Sequence, residues 1–232
     1  ISSDIADEYL DAIVEAWNPS EAGAEAIVKV LLGAYNPGGK LPVCVARNAG
    51  QIPIYYNHAN GSAWHQGESI GFKNYVDMLH TPRYFFGHGL SYTEFVYSDL
   101  TVDKKEVRPD EELKIGVTVQ NIGSCKGDEV VQLYLRDIYA SMTRPVKELA
   151  GFKRVTLEAG EKKRVVFTVK ASQMAFLDRE MNWKIEKGEM EIQVGKSSED
   201  ICLTERYRVT EDAVMEGRNR GFYAKTAVEE VD

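Results

Sequence analysis

Four histidines, His58, His65, His80 and His88, lie within one stretch of the chain, and imidazole is a common zinc ligand. Their spacing does not make a site. No two stand at the separation of a helical ligand pair, and no cysteine or acid completes a known ligand pattern, so hydrogen-bonded loop histidines are expected and no metal. A different chemistry suits the same stretch. Trp64, His65, Gln66 and Glu68, with Tyr55, Tyr56, Asn57 and His58 upstream, combine flat apolar faces with amide, imidazole and carboxylate groups. A sugar ring presents apolar C–H faces and a rim of hydroxyls, so its pocket needs stacking area and a few convergent polar groups. Trp64, His65, Glu68 and His58 are the candidate sugar contacts. A loop that merely covers a neighbouring domain has the same composition, and that alternative stays open.

Hydrolysis of a glycosidic bond takes a pair of carboxylates. Glu15, Glu21, Glu25, Glu68, Asp77 and Asp178 are available, but nothing in their spacing selects two of them. Glu21 and Glu25 sit one helical turn apart and read as a solvated face. Lys162-Lys163-Arg164 reads as a strand end facing water, and there is neither a Gly-x-Ser-x-Gly elbow nor a phosphate-cradling glycine loop. The residues by themselves therefore offer recognition more readily than catalysis, and they call for no cofactor.

The elements that would position these groups change character along the chain. Ser3 and the acids after it predict a short first helix, since orphan N–H groups and the helix dipole favour negative oxygens there. Asp11 to Trp17 is apolar on both faces and is ambiguous between helix and buried strand, with Asn18-Pro19 ending it. A second helix is expected from a Ser20 cap, with Glu21 in its first turn, Ala24, Ile27, Val28 and Leu31 on one face, and Gly33 as its stop. Leu41 to Val45 reads as a short buried strand after the Asn36-Pro37-Gly38-Gly39 turn. From Arg47 to Arg83 no period holds, and a loop of that length in a compact protein is functional or disordered; its aromatic content argues against disorder.

At Tyr84 to Thr93 the text of the chain changes. Gly87 and Gly89 flank His88, and Tyr84, Phe86 and Tyr92 supply apolar area to bury the turn, so Tyr84, Phe86, Gly87, His88, Gly89 and Tyr92 are expected to form an interdomain joint. After it the period becomes two: Phe95–Val102, Leu113–Val119, Val131–Leu135, Val155–Leu157, Val165–Val169, Met190–Val194 and Ile201–Val209 read as seven short strands. Such a series is the signature of an immunoglobulin-like or fibronectin-like sandwich, with Phe176 and Trp183 in its core or over one end. The stretch from Glu211 shows no alternation and reads as a tail that is loose or docks through Phe222 and Tyr223.

The totals agree with a two-domain globular chain: 232 residues, 44% hydrophobic and 28% charged. A net charge of −8 argues against nucleic acid or an anionic membrane as partner. Cys44, Cys125 and Cys202 are widely separated, so free thiols are expected. No apolar run approaches a membrane span, and no secretory leader is expected at Ile1.

Six ordered motifs together resemble one family, the carboxy-terminal part of glycoside hydrolase family 3 enzymes of β-glucosidase and β-xylosidase type. They are Asp11-Ala12-Ile13-Val14-Glu15-Ala16-Trp17, Leu32 to Pro42, Ile52-Pro53-Ile54-Tyr55-Tyr56-Asn57-His58, Phe86 to Thr93, Glu129 to Asp137, and Arg144 to Phe152. The stretch Asn18 to Gly23 departs from the family's richer glycine pattern. The resemblance implies an α/β plus all-β chain: the end of an α/β sandwich domain at 1–94, with a long aromatic loop at 47–83, then a fibronectin type III-like β-sandwich at 95–210 and a tail at 211–232. It implies a parent reaction of retaining hydrolysis, with a carboxylate attacking the anomeric carbon and a second acid protonating the leaving oxygen. Neither carboxylate is carried over to this chain, because the family's nucleophile motif has no counterpart here and its acid/base glutamate normally lies upstream of where Ile1 falls. The implied partners are an upstream catalytic barrel with the rest of the α/β domain, a β-linked sugar, and a possible second copy in a homo-oligomer. A free-standing fibronectin-like module that binds carbohydrate or another protein is the rival reading.

Overall fold

The computed structural model describes residues 4–59 and 78–231. Trp64, His65 and Glu68 lie outside the described residues. Two short helices open the chain, α1 at Asp4–Tyr9 and α2 at Gly23–Leu31. The second starts later than a Ser20 cap would place it. Ser20 takes a left-handed φ of 58° and Ala22 stands at the cap position with no side-chain bond, so Glu21 is outside the helix. The stop at Gly33 is as expected. Its φ of 71° and its N–H bond to the Val30 carbonyl close the last turn.

Asp11 to Trp17 is neither helix nor strand, and Leu41 to Val45 is an extended hook instead of a strand in a sheet. The hook still satisfies its backbone. Leu41 N–H donates to the His88 carbonyl and Gly87 N–H to the Leu41 carbonyl, both at 2.8 Å, while Val45 N–H donates to the Tyr84 carbonyl at 2.8 Å. The pairing segment is the expected joint.

The sandwich carries β1 (Phe95–Val102), β2 (Glu106–Val107), β3 (Glu112–Asn121), β4 (Gly127–Asp137), β5 (Glu148–Leu157), β6 (Lys162–Lys170), β7 (Phe176–Leu177), β8 (Trp183–Ile185), β9 (Gly188–Gly195), β10 (Ile201–Val209), β11 (Ala213–Met215) and β12 (Lys225–Glu230). One sheet has the order β1-β3-β6-β12 and the facing one β2-β10-β9-β4-β5. Their alternating apolar residues meet in a single core: Ile115 and Val117 of β3 and Phe167 of β6 lie with Leu133 of β4 and Ile192 of β9, all fully buried. Each such side chain contributes about 1.5–3 kcal/mol by leaving water. Among the described residues no helix is long and apolar enough to cross a membrane.

All seven expected strands are present, as β1, β3, β4, β5, β6, β9 and β10. The other five are short or polar. The end of the chain corrects the reading of a tail without strands. Strand β12 pairs antiparallel with β6 from Lys225 opposite Thr168 to Glu230 opposite Lys163, completing one sheet edge. Nor is the segment held by Phe222 and Tyr223, which are 68% and 64% exposed. Backbone bonds hold it: Gly221 N–H to Ser172 Oγ at 3.1 Å and Ala224 N–H to the Ala150 carbonyl at 2.8 Å. Strands β11, β8 and β7 form a small third sheet at one end. There Phe176 is buried under the Arg144 guanidinium and Trp183 is half-buried under that of Arg220, at 4.9 and 4.6 Å from the ring centroids.

At the end of β4, Asp137 is 4% exposed and faces Arg144 Nε at 4.0 Å. Burial pushes its carboxyl up to about 6, against the opposing pull of Arg144 and with a smaller upward push from Glu186. The folded chain thus holds a proton that the unfolded chain releases between about pH 4 and pH 6. This group's contribution is fully present below about pH 4 and is lost as pH rises through 6, a change of about 3 kcal/mol. Asp137→Asn should therefore gain stability relative to the native chain as pH goes from 4 to 7 in urea titrations. Parallel pH curves for the two proteins would remove Asp137 as the cause.

Candidate functional site

The joint is built around Gly87. Its φ of 81° is left-handed, and a Cβ there would run into the Gln132 amide. Gln132, buried in β4, donates to the Gly87 carbonyl at 3.1 Å and to the Lys196 carbonyl at 2.6 Å, and accepts from the Tyr134 hydroxyl at 2.6 Å. Beside it the Phe86 ring stacks on Tyr56 with centroids 4.3 Å apart, and Tyr56 meets Tyr134 edge-on at 5.9 Å. Gly89 passes so close to the Gly39 carbonyl that no side chain fits between them.

Asn36 ties three segments together. Its Oδ1 accepts from Ser91 Oγ at 3.0 Å and from Tyr92 N–H at 2.8 Å, while its Nδ2 donates to the Lys126 carbonyl at 3.0 Å. The Tyr92 hydroxyl reaches back to the Val30 carbonyl of α2 at 2.8 Å. Next to this clamp, Lys40 Nζ stands 3.3 Å from Glu129 Oε2, and Glu129 Oε1 accepts from the Tyr97 hydroxyl at 2.8 Å. The pair is buried. At the other end Tyr84 donates to Asp7 Oδ1 at 2.6 Å, and Arg83 binds Asp7 at 2.7 Å and also Asp4.

His88 stacks on Tyr84, with centroids 5.6 Å apart and planes 13° from parallel. Burial and the neighbouring Lys40 ammonium lower its pKa, with Asp200 pulling the other way, so the ring is neutral at neutral pH. Its main chain carries the joint: N–H to the Phe85 carbonyl at 3.1 Å and carbonyl to Leu41.

Two cavities flank the joint. One of about 600 Å³ is lined by Leu31, Tyr35, Asn36, Tyr92, Lys126 and Asp128 among others. The second, about 310 Å³, is lined by Tyr55, Tyr56, His58 and Phe85 from before the sandwich and by Val146, Lys147, Ser198 and Glu199 from the sandwich, with Cys44 and Pro82. His58 reaches this wall because Val146 N–H donates to its carbonyl at 3.0 Å, while Leu149 N–H donates to the Tyr56 hydroxyl at 3.1 Å. The segment Tyr55 to Ala59 is thereby laid along the β4–β5 connection. Of the four candidate sugar contacts, His58 alone lies within the described residues. Cys44, Cys125 and Cys202 are free thiols, and among the described residues no three His, Cys, Asp or Glu side chains gather as a metal site.

Asn36, Lys40, Glu129 and Gln132 were not legible as joint residues. Asn36 sits in a turn sequence that accounts for it by itself. Glu129 and Gln132 carried the one available signal, polar residues buried within β4, Glu129 on the face of Val131 and Leu133 and Gln132 on the opposite one.

This arrangement, a helical segment with an aromatic Gly-x-Gly joint clamped onto a fibronectin type III-like sandwich, has counterparts. The family profile described as "Glycosyl hydrolase family 3 C-terminal domain" matches residues 1–92, and that described as "Fibronectin type III-like domain" matches residues 129–198. The chain belongs to glycoside hydrolase family 3, of which it carries the carboxy-terminal region. It is 40% identical over 194 residues to a periplasmic β-glucosidase of Salmonella typhimurium, covering 83% of this chain and 25% of that protein. It is 39% identical over 198 residues to a putative β-xylosidase of Formosa agariphila, covering 85% and 25%. A solved β-glucosidase of Erythrobacter marinus superposes with a TM-score of 0.83 at 37% identity, over 90% of this chain and 27% of that one. The chain thus spans about a quarter of the length of these relatives.

Proposed function

We propose that this chain serves as the carboxy-terminal region of a retaining β-glycosidase, a β-glucosidase by the balance of its relatives. Its role there is to hold and frame the sugar site without supplying the catalytic carboxylates. The division falls near Glu94, with the sandwich extended to include β12. The observation that carries this reading is the apolar surface of the first segment: Trp17, Val28, Leu31 and Leu32 are 59%, 51%, 65% and 78% exposed. A stripe on α2 that faces water has no stabilising use in the chain alone. The occupant proposed is the region that family 3 relatives carry before this one, with its barrel and the rest of the α/β layer.

The test uses a polypeptide with such a region ahead of Ile1, assayed on 4-nitrophenyl β-D-glucoside and β-D-xyloside. Hydrolysis with preference for the glucoside is expected; hydrolysis of neither overturns the proposal. Leu31→Asp probes the docking face separately. In the 232-residue chain it should shift stability by no more than about 0.5 kcal/mol, as exposed sites do. In the longer polypeptide it should lower activity at least tenfold, and unchanged activity would mean the face is not a docking surface.

A further inference from the structure

We infer that the cavity between Tyr55–His58 and Lys147–Glu199 is a binding site for a single neutral sugar ring. Its volume of about 310 Å³ stands at the lower end of ligand pockets, room for one ring and not for a chain of them. The lining supplies both kinds of chemistry that a pyranose needs. Tyr55 and Phe85 with Val146 and Pro82 give the apolar surface on which C–H faces pack, and Lys147, Glu199 and Ser198 give donors and acceptors for hydroxyls. Tyr56 is already stacked on Phe86, so Tyr55, 62% exposed, is the ring that offers a face.

The charges select the ligand. Lys147 brings one positive group and Glu199 one negative, so neither an anion nor a cation meets a net opposite charge to offset its desolvation. A polyol engages both, accepting from the ammonium and donating to the carboxylate. Lys147 is fixed for this by its bond to the Ser198 carbonyl at 2.6 Å, and its ammonium also lies over the Tyr134 ring, 6.0 Å from the centroid. Burial lowers its pKa, with Glu199 opposing, consistent with a group kept from bulk water. The Ser198 hydroxyl is buried at the same wall with no partner among the described residues, and a χ1 turn toward the cavity would pair it with a sugar hydroxyl.

This inference rests on the proposed function only in its choice of sugars as probes, and it is tested on the 232-residue chain itself. Ligand-observed NMR titrations with D-glucose and D-xylose should show saturable binding with a Kd on the order of millimolar, as expected for a small open site. Glu199→Gln, at an exposed position, and Lys147→Met should each weaken it by about fivefold or more, the loss of roughly one hydrogen bond to a charged group. Tyr139→Ala, at an exposed position that does not line the cavity, should leave it unchanged. Absence of saturation at about a hundred times that Kd range, equal affinity in both cavity variants, or tighter binding of inorganic phosphate than of either sugar would each overturn the assignment. Because the chain contributes no catalytic carboxylate to this titration, the site and the glycosidase reading can fail independently.

Discussion

Replacing Gly87 by alanine is expected to cost about 2–4 kcal/mol of stability, the sum of a left-handed backbone and an overpacked contact. The φ of 81° accounts for about 1 kcal/mol. The remainder comes from the Gln132 amide, which lies where the new Cβ would stand and would be driven off its bonds to Gly87, Lys196 and Tyr134. Gly33 is the internal control. Its φ of 71° is similar, but a Cβ there meets nothing within 4 Å, so Gly33→Ala should show the backbone cost alone. Urea midpoints of the two variants decide it. Equal losses would mean that the Gln132 clamp does not hold the joint.

Lys40→Met should cost about 3–5 kcal/mol, because it strands the Glu129 carboxylate in the interior. That side chain is 3% exposed and its remaining partner is the Tyr97 hydroxyl. Adding Glu129→Gln to Lys40→Met removes the stranded charge while keeping an acceptor for Tyr97, and should restore at least half of the loss. Additive losses in this double-mutant cycle would show that Lys40 acts through packing of its stem, not through the ion pair. Because Lys40 precedes the joint and Glu129 lies on β4, the cycle also measures how strongly the first segment is fastened to the sandwich.

The sandwich was the most legible part of the molecule, and the reason is periodicity. Strands such as β3 and β6 put Leu113, Ile115 and Val117, or Val165, Phe167 and Val169, on one face, and alternation over several residues survives without any knowledge of neighbours. Strands of two or three residues, such as β2 and β7, are too short to show a period. Strand β12 was hidden for a different cause: it is a polar edge whose place is set by β6 and by the bonds of Gly221 and Ala224.

The joint was legible in its composition and not in its wiring. Two glycines and an aromatic cluster marked the position, but Asn36, Lys40 and Gln132 come from other parts of the chain, and single-sequence patterns carry no long-range pairing. The strand expected at Leu41 to Val45 is absent for an energetic reason. Leu41 to Val45 is apolar enough for a strand, yet within the described residues its partner is the turn segment Tyr84 to His88 and not a sheet, so it stays a hook.

The central claim is that this chain frames a β-glycosidase without performing its chemistry. A side-by-side assay on 4-nitrophenyl β-D-glucoside addresses it, comparing the purified 232-residue chain with a polypeptide carrying a family 3 barrel ahead of it. The account predicts turnover by the longer polypeptide and none by the chain above a boiled control. Heat-sensitive turnover by the 232-residue chain itself would contradict it.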